Sequence, residues 1–431
     1  MPRSNDGPSF ETQALHAGEQ PDPATGSRVP PLHQTTSYVF PDAETAADRF
    51  ALESDDHVYS RISNPTVATL ERRLTALGGG AEAVATASGM AAFDALVFVL
   101  ASPGDNVVTA TDLYGGTTAY LSHTASRRGI ETRFVPTDDP DAFAGAIDSD
   151  TAFVHAETLG NPSLVTPDLE RVAEVAHDRG VPFVVDNTFA SPALCSPIDD
   201  GADAVWHSTT KWIHGGGTTI GGILIDGGEF PWLDHPDRFP EIAAENPAYR
   251  GVTFARDFQD APLAAAARFR GLRSLGNAQS PFDAWLTLQG VETLPLRMAR
   301  HCENASIVAE FLDDHPAVEW VRYPGLETHP SHEQATRYLD GGYGGMIAFG
   351  LEGGYEAGRR FCESVDLSSF LANVGDGKTL VIHPASTTHS QLTPEEQREA
   401  GVSPDLVRLS VGLEHPDDVL ADLDAAIAAT R

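Results

Sequence analysis

The strongest constraint on the fold of this chain is a regular alternation of short β-rich runs with helical stretches. Seven runs have the length and the apolar, β-branched composition of strands: 83–88, 106–110, 132–135, 152–155, 183–186, 204–207 and 222–225. Most of these runs are separated by helical stretches, at 91–100, 117–128 and 169–179. Strands that alternate with crossover helices form mostly parallel sheets with helices on both faces. The pattern therefore predicts an α/β fold built on a mostly parallel, seven-stranded sheet.

The length of the chain, 431 residues, exceeds what one compact core holds and predicts two domains. We expect an arm at residues 1–62 that contacts a neighbouring subunit, a large domain at 63–277 and a smaller C-terminal α/β domain at 278–431. The segment 230–273 is rich in proline and aromatic residues, and we interpret it as an insertion at the site entrance or at a subunit contact. Further helices are predicted at 67–77 and 417–429, and a helical stretch at 278–313 is expected to be broken by Gly290 and Pro295.

Charge and composition narrow the classes of partner. The formal net charge of −34 argues against binding to nucleic acid or to an anionic membrane surface. No run approaches 18 consecutive apolar residues, the N-terminus has no apolar core of the signal-peptide type, and three scattered cysteines imply no disulfide framework. We therefore expect a cytoplasmic protein without a membrane span. An acidic surface that is nearly free of lysine also favours a halophilic source, because salt screens the repulsion.

Lysine is so rare in this chain that its positions are informative. Only Lys211 and Lys378 occur, against 26 arginines when the two lysines are subtracted from the 28 basic residues. Lys211 follows a predicted strand and two hydroxyl residues, Ser208 and Thr210, and an amine can form a Schiff base, which a guanidinium cannot. The sequence therefore predicts that Lys211 is linked to pyridoxal 5′-phosphate, with Ser208 and Thr210 donating to its phosphate. An exposed lysine after an edge strand is the alternative.

Other candidate groups follow predicted strands, where ligands of parallel sheets gather. Ser88-Gly89-Met90 opens a helix, so free N–H groups and the helix dipole favour an anion there, although a plain glycine turn has the same sequence. Tyr114 offers a flat ring for stacking. Asp186 ends a very apolar run, where it could pair with a protonated pyridine nitrogen or merely cap a helix or turn.

Arg408 and Lys378 require separate accounts. Arg408 enters an apolar strand, so it either holds the carboxylate of an amino-acid substrate or forms an internal salt bridge. Gly377-Lys378-Thr379 resembles the end of a phosphate-binding P-loop, but the required first glycine is Ala372 and a strand follows instead of a helix. The spacing of the histidines matches no helical pair of ligands. We therefore predict neither a nucleoside triphosphate site nor a metal.

Taken together, these motifs resemble the Cys/Met-metabolism family of pyridoxal-phosphate enzymes over nearly the whole chain. The resemblance implies the aspartate-aminotransferase fold, known as fold type I, with a smaller C-terminal α/β domain. The residues that carry it are Tyr59-Ser60-Arg61, Ser88-Gly89-Met90, Tyr114, Asp186, Ser208-Thr209-Thr210-Lys211 and Arg408-Leu409-Ser410-Val411-Gly412.

The family resemblance also implies a role for each site residue. Lys211 and Tyr114 are implied as catalytic residues, Asp186 as the partner of the pyridine nitrogen, and Tyr59 and Arg61 as phosphate ligands for a neighbouring subunit. That sharing implies a homo-oligomer, a dimer of dimers. The remaining cofactor ligands implied are Ser88, Gly89, Met90, Asn161, Ser208 and Thr210. The implied substrate ligands are Asn161, Asn373 and Arg408.

Within the family, four segments resemble the branch that uses O-acetyl-L-homoserine and sulfide: 217–222, the insertion 230–273, 373–380 and 383–389. This resemblance implies replacement at Cγ, giving homocysteine and acetate, or methionine when methanethiol replaces sulfide. The glycine cluster 214–217 departs from the family pattern, so a local contact can differ. Cystathionine γ-synthase or γ-lyase and methionine γ-lyase stay open as alternatives, although Gly116 stands where methionine γ-lyases have cysteine. A non-catalytic protein that binds a phosphorylated metabolite is the remote alternative.

Overall fold

A computed structural model describes residues 7–54 and 56–431, and its strands form two separate sheets. The larger sheet has seven strands in the order β1-β7-β6-β5-β4-β2-β3. All neighbouring pairs are parallel except those of β7, which is antiparallel to both β1 and β6. The predicted α/β fold with a mostly parallel seven-stranded sheet is confirmed. The strands are β1 (Glu82–Thr86), β2 (Asn106–Ala110), β3 (Glu131–Val135), β4 (Thr151–Glu157), β5 (Phe183–Asp186), β6 (Ala204–His207) and β7 (Gly222–Asp226).

The smaller sheet is built from the C-terminal part of the chain. Its five strands lie in the order β10-β11-β12-β9-β8, and only the β10–β11 pair is parallel. This is the smaller C-terminal α/β layer that the family resemblance implied. The strands are β8 (Val318–Arg322), β9 (Met346–Leu351), β10 (Ser369–Phe370), β11 (Leu380–Ile382) and β12 (Leu406–Ser410).

The helices begin and end close to the predicted positions, with one exception: the predicted helix 117–128 begins earlier and contains a π-helical turn at Tyr120–Ala125. The helical stretch 278–313 is interrupted as predicted, and its two helices meet at Thr293, between Gly290 and Pro295. The first half of the chain has helices α1 (Phe10–His16), α2 (Ala43–Phe50), α3 (Pro65–Gly78), α4 (Gly89–Leu100), α5 (Gly115–Ala119), α6 (Pro140–Ala146), α7 (Leu169–His177) and α8 (Ser191–Leu194). The second half has α9 (Pro240–Ala243), α10 (Phe254–Asp257), α11 (Pro262–Ala266), α12 (Arg273–Leu275), α13 (Pro281–Glu292), α14 (Leu294–Asp313), α15 (His332–Tyr338), α16 (Gly354–Ser364), α17 (Pro394–Glu399) and α18 (Pro416–Ala428).

Burial explains why the central strands read as continuous apolar runs. Every residue of β2, β4, β5, β6 and β7 is buried, including residues that point to opposite sides of the sheet. Both faces of the sheet are therefore covered, which requires apolar side chains at successive positions. Phe183, Val184 and Val185 of β5, for example, are completely buried.

The N-terminal region differs from the extended arm that its sequence suggested. It contains helices α1 and α2, and α1 packs on α3 of the same chain with Ala14 fully buried. The guanidinium of Arg73, which is completely buried in α3, pairs with Glu19 at 2.6 Å. Helix α1 and a buried ion pair thus attach the start of the chain to α3 of the same chain.

The segment 230–273 is also an integral part of the large unit. Its short helices bury Trp232, Phe239 and Phe254, and they contact α4 and β7. Arg268 of this segment pairs with Glu71 of α3 at 3.1 Å, and both side chains are almost fully buried. None of the helices in the described ranges has the length and apolar character that a bilayer crossing requires.

Candidate active site

The carboxyl ends of three parallel strands define the site. Glu157 of β4 lies beside Asp186 of β5, and Asp186 lies beside Trp206 of β6. The chain then runs from β6 directly into the loop that carries Lys211. Because parallel strands with this register end together, residues far apart in sequence meet at one edge of the sheet.

Lys211 connects the two sheets. Its Nζ donates to Oδ1 of Asn373 at 2.5 Å, and Asn373 belongs to the loop between β10 and β11. Burial, followed by the nearby positive charge of Arg408, lowers the pKa of Lys211 to about 8. A lysine with this pKa has a substantial neutral fraction near neutrality, so it can act as a nucleophile or as a base.

An anion-binding cradle lies where α4 approaches the loop after β6. Ser88 caps α4 by accepting the Ala91 N–H at 3.1 Å, and no acceptor in the described residues takes the N–H groups of Gly89 and Met90. A Cβ on Gly89 would lie 2.8 Å from Cβ of Ser208, so glycine permits this close approach. The free N–H groups and the helix dipole favour a phosphate at this position.

The two predicted hydroxyl ligands differ in how they are held. Ser208 donates its N–H to Oγ1 of Thr188 at 2.8 Å, and its own hydroxyl forms no hydrogen bond within residues 7–54 and 56–431. Thr210 Oγ1 donates to the Gly221 carbonyl at 3.2 Å and accepts the Gly221 N–H at 3.1 Å. The Ser208 hydroxyl is therefore free to donate to an anion. The Thr210 hydroxyl is already hydrogen-bonded to the backbone of Gly221, in the loop before β7.

Asp186 is a buried carboxylate without a cationic partner in the described part of the chain. One of its oxygens accepts the N–H of Thr188 at 2.9 Å. Burial raises the pKa of Asp186 to about 7. A cationic ring N–H placed against this carboxylate would compensate for its burial, as the sequence interpretation requires.

Tyr114 stands at the rim of the site as the N-cap of α5, with 49% of its surface exposed. Its ring lies against Gly116, where a Cβ would approach Cε1 within 2.3 Å. Thr117 of the same helix contacts the sulfur of Met90 at 3.9 Å. The structure thus brings the Tyr114 loop to the beginning of α4, and leaves the aromatic ring available for stacking.

Arg408 faces the same site from β12 of the smaller sheet. Its Nη1 donates to Oδ1 of Asn161 at 3.3 Å, and burial lowers the pKa of Arg408 to about 10. No carboxylate in the described ranges forms an ion pair with it, so the internal salt bridge considered from the sequence is absent there. A guanidinium in this state is suited to bind a carboxylate from solution.

Tyr59 and Arg61 lie outside this cluster. Both are exposed, with the Arg61 guanidinium 5.4 Å from the centre of the Tyr59 ring. Arg61 Nη1 donates to the carbonyl of Arg273 at 2.5 Å. Within one chain these two residues therefore make no described contact with Lys211 or Asp186.

Two groups at the site were missed in the sequence analysis. Glu157 was overlooked because the fourth strand was ended at residue 155, whereas β4 continues to Glu157. His389 lies close to Gly115, its Nε2 3.6 Å from where a Cβ on that glycine would be, and burial and Arg408 lower its pKa. The signal for Glu157 in the sequence is a carboxylate directly before the loop Thr158–Pro162. No feature of the sequence around His389 predicts that this residue lies close to Gly115.

The donor set fits pyridoxal phosphate. An amine with a lowered pKa, a buried carboxylate without a cation, free N–H groups at a helix start and an exposed aromatic ring share one site. Gly89 leaves the space that a phosphate cradle needs, since a side chain there would collide with Ser208. The residues present are thus those that this cofactor requires.

Comparison with known proteins identifies the family. The family model for Cys/Met metabolism PLP-dependent enzymes matches residues 11–428. The homocysteine synthase of Schizosaccharomyces pombe is 50% identical, with 97% of this chain and 98% of that protein covered. O-acetyl-L-homoserine sulfhydrylase 1 of Thermus thermophilus is 49% identical, with 97% of this chain and 100% of that protein covered.

Solved structures agree with this result. A crystal structure of an O-acetylhomoserine (thiol)-lyase from Campylobacter jejuni, which contains a pyridoxyl-lysine monophosphate, matches with a TM-score of 0.93 and 39% identity over 97% of this chain and all of that one. The structure of metB from Corynebacterium glutamicum matches with a TM-score of 0.86 and 34% identity over the full length of both chains. The chain therefore belongs to the Cys/Met metabolism family of PLP-dependent enzymes.

Proposed function

We propose that this enzyme replaces the acetoxy group of O-acetyl-L-homoserine with sulfide, giving L-homocysteine and acetate, and that methanethiol can replace sulfide to give methionine. The names of the relatives at 49–50% identity support this reaction. The observation that carries this proposal is that Lys211, an amine with a lowered pKa, and Arg408, a guanidinium without a carboxylate partner in the described residues, lie in one site. The Lys211 amine suits the covalent and proton-transfer chemistry of an amino-acid substrate, and the Arg408 guanidinium suits its carboxylate.

The cofactor would be held by groups at the carboxyl ends of the parallel strands of the large sheet. Lys211 would hold it covalently through Nζ, Asp186 would face its ring nitrogen, and Tyr114 would stack on its ring. Bound pyridoxal phosphate supplies the electron sink that stabilises negative charge on the substrate. The phosphate ligands proposed within the chain are Ser88, Gly89, Met90, Ser208 and Thr210, and Asn161 is placed beside the ring and the substrate.

The substrate would be held between the two sheets. Arg408 would bind the α-carboxylate by a bidentate pair, with Asn161 and Asn373 as neighbouring amide ligands. Lys211 would take the proton from Cα and then one from Cβ, and protons would return to both carbons after sulfide has added; these transfers require the neutral amine that its lowered pKa provides. At Cγ the C–O bond breaks and a C–S bond forms, so that acetate leaves with the bonding electron pair and sulfide supplies a new one.

The first test uses the only two lysines as a matched pair. Lys211→Arg keeps a positive charge but removes the titrating amine, so we expect turnover to fall by at least about 10²–10⁴-fold while pyridoxal phosphate still binds without a covalent link. Lys378→Arg, at an exposed position, should keep wild-type turnover. Steady-state kinetics and mass spectrometry after borohydride reduction measure both effects. Near-normal turnover of Lys211→Arg would contradict the assignment.

Product analysis of the wild-type enzyme separates the related reactions. Homocysteine and acetate formed in equal amounts, with sulfide consumed, support the proposed replacement. Cystathionine formed from cysteine would indicate a γ-synthase instead, and 2-oxobutanoate with ammonia would indicate γ-elimination. Gly116, which takes the place of the cysteine of methionine γ-lyases, supports replacement over elimination.

We also propose a cellular and quaternary setting. Tyr59 and Arg61, exposed and remote from Lys211 in one chain, would complete the phosphate site of a neighbouring subunit in a homotetramer of two such dimers. The net charge of −34 supports a cytoplasm of high salt content. For the domains we retain the limits 1–62 for the arm, 63–277 for the large domain and 278–431 for the small one.

A further inference from the structure

We propose that Glu157 is a positioning residue, which as a neutral carboxylic acid fixes the backbone of Tyr114 and leaves the negative charge of the site on Asp186. The inference rests on the proposed function, because it concerns the same cofactor site. It assigns to Glu157 a task that acts through two other residues and not by contact with the substrate.

Glu157 lies beside Asp186 at the edge of the large sheet. It is the last residue of β4 and pairs in register with Asp186, the last residue of β5. Neighbouring strands lie about 4.8 Å apart, and residues in parallel register point to the same side of the sheet. The Glu157 and Asp186 side chains therefore leave the same edge side by side, and only 4% and 5% of them are exposed.

Glu157 also accepts a hydrogen bond from the backbone of Tyr114. The backbone N–H of Tyr114 donates to Oε1 of Glu157 at 2.5 Å and has no other acceptor in the described residues. Tyr114 caps α5, with φ −53° and ψ 130°, so the direction of its ring depends on how its backbone is held. The first turn of α5 holds the Tyr114 carbonyl, which accepts from Thr117 and Thr118, and Glu157 holds the Tyr114 N–H.

The charges around Glu157 are negative. Asp112 and Asp186 are the charged groups that act on Glu157, both are acidic, and no cation forms an ion pair with Glu157 within residues 7–54 and 56–431. Burial, followed by the Asp186 carboxylate, raises the pKa of Glu157 well above its usual range. Two neighbouring carboxyl groups in such surroundings share one proton and titrate together.

The hydrogen bonds indicate which member of the pair holds that proton. Asp186 accepts the Thr188 N–H and would face a cationic ring nitrogen, so the negative charge is stabilised there. Glu157 needs only a carbonyl-type oxygen to accept from Tyr114, which Oε1 provides in the neutral acid, and Oε2 then carries the proton. A neutral Glu157 also avoids a second buried negative charge beside Asp186.

Two substitutions separate the hydrogen bond from the charge. Glu157→Gln imitates the neutral acid, because its carbonyl can accept from Tyr114 and its amide donates where the acid proton lies. Glu157→Leu has a similar volume but leaves the Tyr114 N–H without a partner. We expect the Leu variant of the holoenzyme to lose about tenfold in pyridoxal phosphate affinity, and the Gln variant to stay close to wild type.

The affinity measurement has two outcomes that overturn the proposal. If Glu157→Gln loses as much affinity as Glu157→Leu, the carboxylate charge is required and Glu157 is not neutral. If Glu157→Leu binds as well as wild type, the side chain only fills space. Affinity is measured by equilibrium dialysis with free pyridoxal phosphate, together with the pH dependence of the visible absorption band of the bound cofactor.

Infrared spectroscopy of the cofactor-free protein tests the protonation state independently. The difference spectrum of wild type minus Glu157→Gln should contain the C=O stretch of a protonated carboxylic acid near pH 7, and the stretch of a carboxylate there would overturn the proposal. This readout stands even if Glu157→Leu fails to fold. A wild-type protein that neither binds pyridoxal phosphate nor turns over O-acetylhomoserine would instead refute the proposed function, while the infrared result for Glu157 would be unaffected.

Discussion

Lys211 and Arg408 bring two basic groups into one partly buried site, and neither is paired with a carboxylate in the described part of the chain. Burial disfavours the charged form of both groups, and the positive charge of Arg408 adds to this effect at Lys211. The pKa of Lys211 is lowered to about 8, whereas Arg408, with a pKa lowered by burial to about 10, stays charged near neutrality. Arg408 thus adds to the effect of burial and increases the fraction of neutral amine at Lys211 before the substrate binds.

Removing that charge should change both binding and the pKa of Lys211. In Arg408→Met we expect KM for O-acetylhomoserine to rise by roughly thirtyfold or more, the equivalent of about 2 kcal/mol, because a buried charged hydrogen-bond partner is lost. The pKa of Lys211 should rise as well, since Arg408 lowers it. Kinetics measures the first effect. The pH dependence of amine modification in the cofactor-free Lys378→Arg background measures the second.

An unchanged or lower pKa of Lys211 in Arg408→Met would contradict the electrostatic coupling. An unchanged KM would contradict the role of Arg408 in holding the carboxylate. Because the two readouts are separate, one role can fail while the other stands. Arg408→Lys serves as the control, since it keeps the charge but loses the bidentate geometry.

At the scale of elements, the phosphate cradle depends on how closely the start of α4 approaches the loop after β6. Gly89→Ala would place a Cβ 2.8 Å from Cβ of Ser208 and push the two apart. We expect a loss of about 1–3 kcal/mol in the free energy of unfolding, as for other overpacked sites, and a weaker pyridoxal phosphate complex. Thermal melting and equilibrium dialysis check these two effects.

Gly145→Ala is the matched control for that variant. Gly145 lies in α6, and a Cβ there would meet nothing within 4 Å. The same glycine-to-alanine change should stabilise the protein by about 0.4–1 kcal/mol, because alanine restricts the unfolded chain. A Gly89→Ala protein that melts and binds its cofactor like Gly145→Ala would show that the cradle tolerates a side chain.

The elements also show what a sequence can and cannot predict here. Apolar runs bounded by turns predicted all seven strands of the large sheet, most clearly β2 and β4–β7, where full burial demands continuous apolar character. The exact ends of the strands are harder to predict from the sequence, because β4 continues to Glu157 although this residue is polar. A buried polar residue interrupts the hydrophobic pattern at the very place where a site begins.

Local sequence patterns do not predict which distant parts of the chain come into contact. Lys211 and Asn373 are separated by 162 positions, and Arg408 and Asn161 by 247, so no periodicity links them. Only the family resemblance had grouped Asn161, Asn373 and Arg408 as ligands of one substrate. The structure adds that Asn373 accepts from the lysine and that Arg408 has no carboxylate partner in the described residues.

For the whole molecule, the acidic surface predicts a strong response to salt. The charge of −34 makes the folded chain repel itself in dilute buffer, and the screening length falls from about 10 Å at 0.1 M to about 3 Å at 1 M ionic strength. We expect the melting temperature to rise steadily with potassium chloride. A maximum in dilute buffer would contradict adaptation to high salt.

The proposed sharing of sites between subunits predicts complementation. Lys211→Arg and Arg61→Ala should each be inactive alone, for different reasons and in different parts of the composite site. After mixing and subunit exchange, hybrid dimers contain one site with both native residues, so partial activity should return. Activity that stays absent in verified hybrids would show that Arg61 does not serve a neighbouring site. Lys378→Arg mixed with Lys211→Arg is the control for simple dilution.

The hydrogen bonds from Lys211 to Asn373 and from Arg408 to Asn161 both cross from one sheet to the other. A ligand that binds to both Lys211 and Arg408 replaces these two hydrogen bonds with its own bonds. It then links the part of the enzyme that contains the large sheet to the part that contains the small sheet. Occupancy then governs how cooperatively the halves unfold, in addition to the stabilisation that any ligand brings. A calorimetric trace with two partly separated transitions in the empty protein should merge into one when a carboxylate-bearing substrate analogue is bound.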